Sequence, residues 1–176
     1  RIPFLGAYLG PRFAKKALKP LRNELFGESP CFLISGGSRI SQEVLTFFNQ
    51  IGYHLVNGYG MTEIGITSVE LSSSYRRIIS GSVGKPFASA QYRQTEEGTL
   101  LVSGAGMSQM AQESSWFSTQ DLVRINHNQT FILGRADDVW IGLDGENINP
   151  VLYEEYLKLP EISRLVLLED AHAAKL

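Results

Sequence analysis

At 176 residues, 43% hydrophobic and 19% charged, the chain has the make-up of one globular domain, or one and a part, with apolar residues enough for a sizeable core. A formal charge of −2 gives no electrostatic basis for nucleic acid or an anionic membrane as a partner. No apolar run reaches membrane-spanning length, no signal peptide is visible, and the single cysteine, Cys31, cannot form an internal disulfide, which fits a reducing, cytoplasmic setting.

Phe13, Ala17, Leu18, Leu21 and Leu25 recur at helical spacing with Gly27 as a stop, and Pro20 predicts a kink or two short helices in place of one. Residues 31–34 are a short apolar run of the kind that forms a strand covered on both faces. It breaks at Ser35-Gly36-Gly37-Ser38. A second helix is predicted with Ser41 as N-cap, Glu43 in its first turn, and Val44, Leu45, Phe47, Phe48 and Ile51 as its inner face, ended by Gly52. Residues 53–56 read as the next strand, so the unit is strand–helix–strand and its strands are predicted to be parallel. The glycine-marked segments 35–38 and 58–63 each follow a strand end, where open parallel sheets bind ligands, and are predicted to lie side by side. Tight turns account for them equally well.

Beyond Glu63 the pattern changes. Residues 72–77 read as a polar, mobile loop. Short strands are predicted at 91–94, 99–103, 122–126 and 130–133, with Glu96-Glu97-Gly98 and Asn126-His127-Asn128-Gln129 as hairpin turns. Residues 134–147 are charged and punctuated by glycine. Asn149-Pro150 supplies an N-cap and first-turn proline for a helix to about Lys158, and residues 164–168 resemble a strand. A lone helix and strand cannot bury their apolar faces, so a further domain is expected to begin near residue 137 and to be incomplete. The predicted class is α/β. Residues 1–79 are the strand–helix–strand portion of a parallel sheet at the end of a large N-terminal domain. Residues 80–136 are a small antiparallel β subdomain of that domain, and 137–176 the start of a C-terminal α+β domain.

Five motifs occur in a fixed order: Gly36-Gly37-Ser38; Tyr59-Gly60-Met61-Thr62-Glu63; residues 81–86 (Gly-Ser-Val-Gly-Lys-Pro); Thr119-Gln120-Asp121 after Trp116-Phe117; and Gly134-Arg135-Ala136-Asp137-Asp138 followed by residues 145–150 (Gly-Glu-Asn-Ile-Asn-Pro). Together they resemble the motifs of the adenylate-forming superfamily, which includes acyl-CoA synthetases, luciferases and peptide-synthetase adenylation domains. Each alone is weak; five in register are strong. The resemblance implies an internal fragment of an ATP-dependent acid–thiol ligase. Such an enzyme activates a carboxylic acid as an acyl-adenylate and transfers it to coenzyme A, with Mg²⁺ as cofactor.

These residues suit an ATP site physically. Gly36 and Gly37 let backbone approach a purine face, with Ser38 completing the turn. Tyr59 can stack on the other face while Gly60 keeps the turn tight. The Thr62 hydroxyl can donate to a phosphate oxygen, and Glu63 is a hard oxygen ligand for Mg²⁺. Asp121 suits the two ribose hydroxyls, and Arg135 offers a forked donor set to ribose or phosphate. Taken singly, Tyr59 is more often a packing residue, Glu63 a solvated charge, and Asp137 and Asp138 a solvated turn paired with Arg135 or Arg124. His54, His127 and His172 have no metal-ligand spacing, and Trp116 and Trp140 read as core or rim residues.

The resemblance further implies that Thr62 holds phosphate, Glu63 holds Mg²⁺, Asp121 grips ribose and Asp137 is the hinge about which the C-terminal domain rotates between half-reactions. Residues 145–147 would swing toward the nucleotide in one state. Residues 17–27 and the 142–150 segment are most similar to long-chain acyl-CoA synthetases, which points to a fatty acid. An aromatic-acid CoA ligase, a carrier-loading adenylation domain and a non-catalytic nucleotide-binding module are the alternatives. Gln120 stands where the family has glycine, and the stretch between Gly106 and Ser115 is shorter than usual. The family's phosphate loop and catalytic lysine have no counterpart within these residues, so the isolated chain is expected to be inactive.

Overall fold

A computed structural model describes residues 16–27, 29, 32–104, 107–108, 115–141, 147–148, 150, 153 and 157. Helix α1 (Lys19–Leu25) begins with Pro20 in its first turn, where no intrahelical N–H is required, and Leu18 separates it from a helical pair at Lys16 and Ala17. Two short pieces in place of one helix is thus the outcome. Its buried residue is not an apolar one: Leu25 is exposed, whereas Arg22 lies under the ring of Tyr53, its guanidinium carbon 4.7 Å from the ring centroid. The Tyr53 hydroxyl sits 2.8 Å from the carbonyls of both Arg22 and Gly27, which fixes the end of the helix. Gly27, at φ +73°, makes the left-handed exit.

Strand β1 (Leu33–Ser35), helix α2 (Gln42–Gln50) and strand β2 (Leu55–Met61) form the expected strand–helix–strand unit, with Leu33 opposite Leu55 and Ser35 opposite Asn57 in a parallel pair. The Ser41 side chain caps α2 by accepting from the Val44 N–H at 3.3 Å. Leu45 and Ile51 are buried as expected, but Val44 and Phe47 are exposed, and Asn49 takes the inner face instead. Asn49 earns that position by donating its amide to the carbonyls of Leu45 at 2.8 Å and Leu55 at 2.7 Å, joining helix end to strand start.

Two further expectations need correction. Residues 58–61 are not a turn beyond the strand: β2 runs through Met61 and pairs antiparallel with β3 (Gly65–Val69), leaving Thr62, Glu63 and Ile64 as the connection. The glycines permit this approach, since a Cβ on Gly60 would lie 2.4 Å from the Gly65 carbonyl oxygen. Residues 72–77 are not simply a loop either. They lead into the single turn α3 (Tyr75–Ile78), anchored by Ile78, which is buried with Val56 and Val69.

The second sheet is the expected antiparallel one, in the order β4 (Ala90–Gln94), β5 (Thr99–Gly104), β6 (Phe117–Asn126), β7 (Gln129–Arg135). The central core joins the sheets: Tyr59 and Ile64 from the first unit pack with Val83, Leu100, Val102, Met107 and Val123. Within the charged segment, β8 (Trp140–Ile141) pairs antiparallel with β9 (Asn147–Ile148), and Pro150 and Tyr153 are helical. Cys31, residues 142–146, Asn149, the predicted strand at 164–168 and His172 lie outside the described residues.

Candidate functional site

A cleft of about 500 Å³ opens between the two sheets. One wall is the segment leaving β1, Gly37 to Ile40, together with Asn57 to Met61 of β2; the other is Asp121 and Arg124 on β6 with Phe131 to Arg135 on β7; Ser80, Gly81 and Val83 form its floor. The carboxyl end of β1 therefore faces the second sheet across a gap, where the parallel-sheet rule places a ligand. The two glycine segments do lie side by side, since a Cβ on Gly36 would sit 3.5 Å from the carbonyl oxygen of Gly58.

Tyr59, buried in the β2 wall, donates its hydroxyl to Asp121 Oδ2 at 2.5 Å across the gap. Asp121 Oδ1 lies 3.7 Å from Arg135 Nη1. Arg135 is held from its other side by Asp137, donating from Nε to Oδ1 at 2.8 Å and from Nη2 to Oδ2 at 3.1 Å. This forked pair holds the Asp137 carboxyl below the usual range and the guanidinium above its own. Gly37, Ser38, Tyr59, Gly60, Asp121 and Arg135 thus meet at one cleft, with Gly36 on the adjoining surface behind Gly58. Thr62 and Glu63 lie on the connection just past Met61 and do not line the cleft, and Asp137 is exposed at its rim. Several lining residues were not among the sequence candidates, Asn57, Arg124 and Phe131 among them. Asn57 is buried and donates to the Gly81 carbonyl at 3.1 Å, while Arg124 lies over the Phe131 ring at 4.9 Å from its centroid. Asn57 follows no spacing rule because its partner Gly81 is 24 positions away, whereas Arg124 and Phe131 are register partners across the β6–β7 hairpin.

Burial, and then the hydrogen bond to Asp121, push the Tyr59 hydroxyl well above the ordinary tyrosine range; burial also raises that of Tyr92. A proton held more tightly in the folded state contributes stability that is complete below the ordinary tyrosine pKa and is lost as pH rises beyond it. Urea unfolding midpoints should therefore fall from about pH 10 upward, and Tyr59→Phe should flatten that decline. An equally steep decline in the variant would remove Tyr59 as its source.

Gln120 stands in the left-handed region at φ +61°, the backbone a glycine would adopt there. Its carbonyl accepts from the Ala136 N–H at 2.7 Å, its side chain reaches Ser118, and the Asp121 N–H meets Thr119 Oγ1 at 3.1 Å. The substitution leaves Asp121 aimed into the cleft. Gln120→Gly relieves a left-handed strain of about 1–2 kcal/mol. The same change adds unfolded-state freedom costing about 0.4–1 kcal/mol. Net stabilisation of roughly 0.5–1 kcal/mol is expected in urea unfolding. A destabilised variant would show that the glutamine side chain contributes more than its strain.

His54 and Trp116 behave as packing residues, while His127 is exposed at the β6–β7 turn. His54 packs on Phe32 with ring centroids 5.0 Å apart, and Arg93 lies over the ring of Trp116. Among the described residues no three His, Cys, Asp or Glu side chains gather as a metal cage. A magnesium ion fits Glu63 only in the manner usual for that ion, with one carboxylate and the remaining ligands from phosphates and water.

The model of the AMP-binding enzyme family matches residues 7–110. A long-chain-fatty-acid–CoA ligase of Mycobacterium bovis is 28% identical over 172 residues, covering 90% of this chain and 28% of that protein. One from Rattus norvegicus is 31% identical over 153 residues, covering 77% of this chain and 23% of its own length. The chain thus spans about a quarter of the curated relatives it matches. The fold is shared with O-succinylbenzoate coenzyme A synthetase of Bacillus subtilis in complex with AMP, at a TM-score of 0.67 and 22% identity, over 89% of this chain and 38% of that one. With residues of the motifs lining one cleft and the family model matched over more than half of the sequence, this chain belongs to the AMP-binding enzymes.

Proposed function

We propose that the protein carrying this sequence is an ATP-dependent, AMP-forming acid–thiol ligase acting on a fatty acid, and that the cleft holds its adenosine moiety. The observation that carries this reading is the Asp121–Arg135 pair, bonded by Tyr59 from the β2 wall, facing Gly37 and Ser38 across a gap that fits a nucleoside. Asp121, with one oxygen engaged by Tyr59, keeps lone pairs for ribose hydroxyls, and Arg135 offers a fixed positive charge to ribose or phosphate. Adenine lies against the glycine-lined β2 wall, near Tyr59.

The carboxylate oxygen of the acid attacks the α-phosphorus of ATP, forming the acyl-adenylate as pyrophosphate leaves with the bridging oxygen's electrons. The thiol sulfur of coenzyme A then attacks the acyl carbonyl carbon, and AMP departs. Charge accumulates on phosphate oxygens in the first step, so Thr62 on the neighbouring turn donates to them and Glu63 supplies a carboxylate for Mg²⁺, which neutralises that charge when bound. Asp137, tied to Arg135 at the rim, is the hinge before a C-terminal unit beginning near residue 137. The names of the Mycobacterium and rat relatives favour a fatty acid. The lone cysteine supports a cytoplasmic location.

ATP–pyrophosphate exchange on the full-length protein, run across fatty and aromatic acids, tests the proposal. Exchange with fatty acids upholds it, and exchange with aromatic acids alone moves the substrate to the class of the Bacillus enzyme. ATP binding without exchange for any acid would make the protein a nucleotide-binding module.

A further inference from the structure

We propose that Arg77 is a positioning residue for the nucleotide cleft, a clamp that sets the spacing of its walls from behind. This rests on reading the cleft as an ATP site. Helix α3 is one turn, pinned by Ile78 to Val56 and Val69 of the first sheet. From it the Arg77 guanidinium reaches in two directions. One is Glu70, just past the end of β3, whose side chain is 1% exposed; Arg77 Nη2 lies 3.2 Å from its Oε1 and 3.3 Å from its Oε2. The other is the carbonyl of Asn128 at the tip of the β6–β7 hairpin, to which the same Nη2 donates at 2.9 Å. A single nitrogen therefore ties the first sheet to the strand pair carrying Asp121 and Arg135.

The neighbouring bonds do a different job. Val83 N–H donates to the Thr130 carbonyl at 2.8 Å, and Thr130 N–H to that of Gly84 at 2.9 Å, joining the hairpin to the floor segment. Arg77 joins it to Glu70 on the first sheet, and Glu70 is itself oriented by the Ser72 N–H at 3.1 Å. Neither Arg77 nor Glu70 lines the cleft. Their replacement therefore reaches bound nucleotide only through the walls, an indirect route worth roughly two- to thirtyfold in affinity.

The test uses the full-length protein, with ATP binding measured by titration calorimetry, thermal unfolding in parallel, and KM for ATP and for the acid measured separately. In the double variant Glu70→Leu/Arg77→Met both charges go, so no buried charge is left unpaired. It should keep an unfolding midpoint within a few degrees of wild type and the same KM for the acid, while its Kd and KM for ATP rise about tenfold. A merely structural role would lower the midpoint and the active fraction but leave the Kd of the folded molecules unchanged. Should the double variant fail to fold, Glu70→Gln/Arg77→Met decides, because the amide still accepts from the Ser72 N–H, no charge is buried, and no side chain at position 77 donates to position 70 or to the Asn128 carbonyl. ATP affinity lowered about threefold or more supports the clamp, and unchanged affinity overturns it. Wild type that binds ATP beside folded variants that bind it equally overturns the clamp alone. Wild type that does not bind ATP overturns the nucleotide reading and the clamp with it.

Discussion

Replacing Asp121 by alanine should raise the KM for ATP in pyrophosphate exchange by at least about a hundredfold, with the KM for the acid little changed. The Asp121 side chain is 12% exposed, and one of its oxygens already accepts from Tyr59. The residue lines the cleft, and on the proposed reading its remaining lone pairs take two ribose hydroxyls. Hydrogen bonds to a charged acceptor contribute about 1.5–3 kcal/mol each, so two of them amount to roughly 3–6 kcal/mol, or a factor of about 10² to 10⁴. Asp121→Asn keeps the shape and an acceptor for Tyr59 but turns one ribose acceptor into a donor, so its loss should fall between wild type and alanine. Truncation also strands the Tyr59 hydroxyl, at a cost of about 1–3 kcal/mol in stability. Unfolding must therefore be measured alongside the kinetics. An alanine variant that is folded and uses ATP with the wild-type KM would remove Asp121 from the ribose site.

The fold was legible where one signal dominated. The apolar run before Ser35, the capped helix from Ser41 and the apolar start of β2 gave the parallel unit, because short apolar runs bounded by glycine have few other uses. Strands β4 to β7 followed from short runs bounded by the turns at Glu96 to Gly98 and around His127, although β6 begins at Phe117, five residues before the predicted 122–126. The signal failed where glycine served packing and not turning: Gly58 and Gly60 read as a break, yet they let β3 close on β2. It failed at Asn49, whose burial depends on two carbonyls contributed by a helix and a strand. It failed again at Arg77, whose partners are Glu70, seven positions away, and a carbonyl at residue 128. Most of the candidate site was legible as motifs in order. Their convergence was not, because Tyr59 and Asp121 stand 62 positions apart and meet only when the second sheet folds over the first.

Gly84→Ala should destabilise the protein by about 1–4 kcal/mol in urea unfolding, net of about 0.4–1 kcal/mol gained by restricting the unfolded chain. That loss is a large part of the roughly 5–15 kcal/mol that holds a domain folded. Two costs add at this residue. Its φ is +80°, where a side chain costs about 1–2 kcal/mol. A Cβ would also stand 2.4 Å from the carbonyl oxygen of Val69, 2.8 Å from its carbonyl carbon and 3.0 Å from Glu70 Cα, so relief requires moving backbone. Overpacking of that kind costs about 1–3 kcal/mol more. Gly81 separates the two terms: its φ is +82°, yet nothing lies within 4 Å of where its Cβ would be. Gly81→Ala should therefore show the conformational cost of about 1–2 kcal/mol less about 0.4–1 kcal/mol of lost unfolded-state freedom, a net loss of roughly 0.5–1 kcal/mol. Equal losses in the two variants would mean that the β3 end yields easily. The direction of the push also matters for the site, because Gly84 bonds to Thr130 on the far wall while Val69 leads directly into Glu70. Separating these segments pulls on both ends of the Arg77 clamp, so any Gly84→Ala molecules that remain folded should also bind ATP more weakly than those of Gly81→Ala.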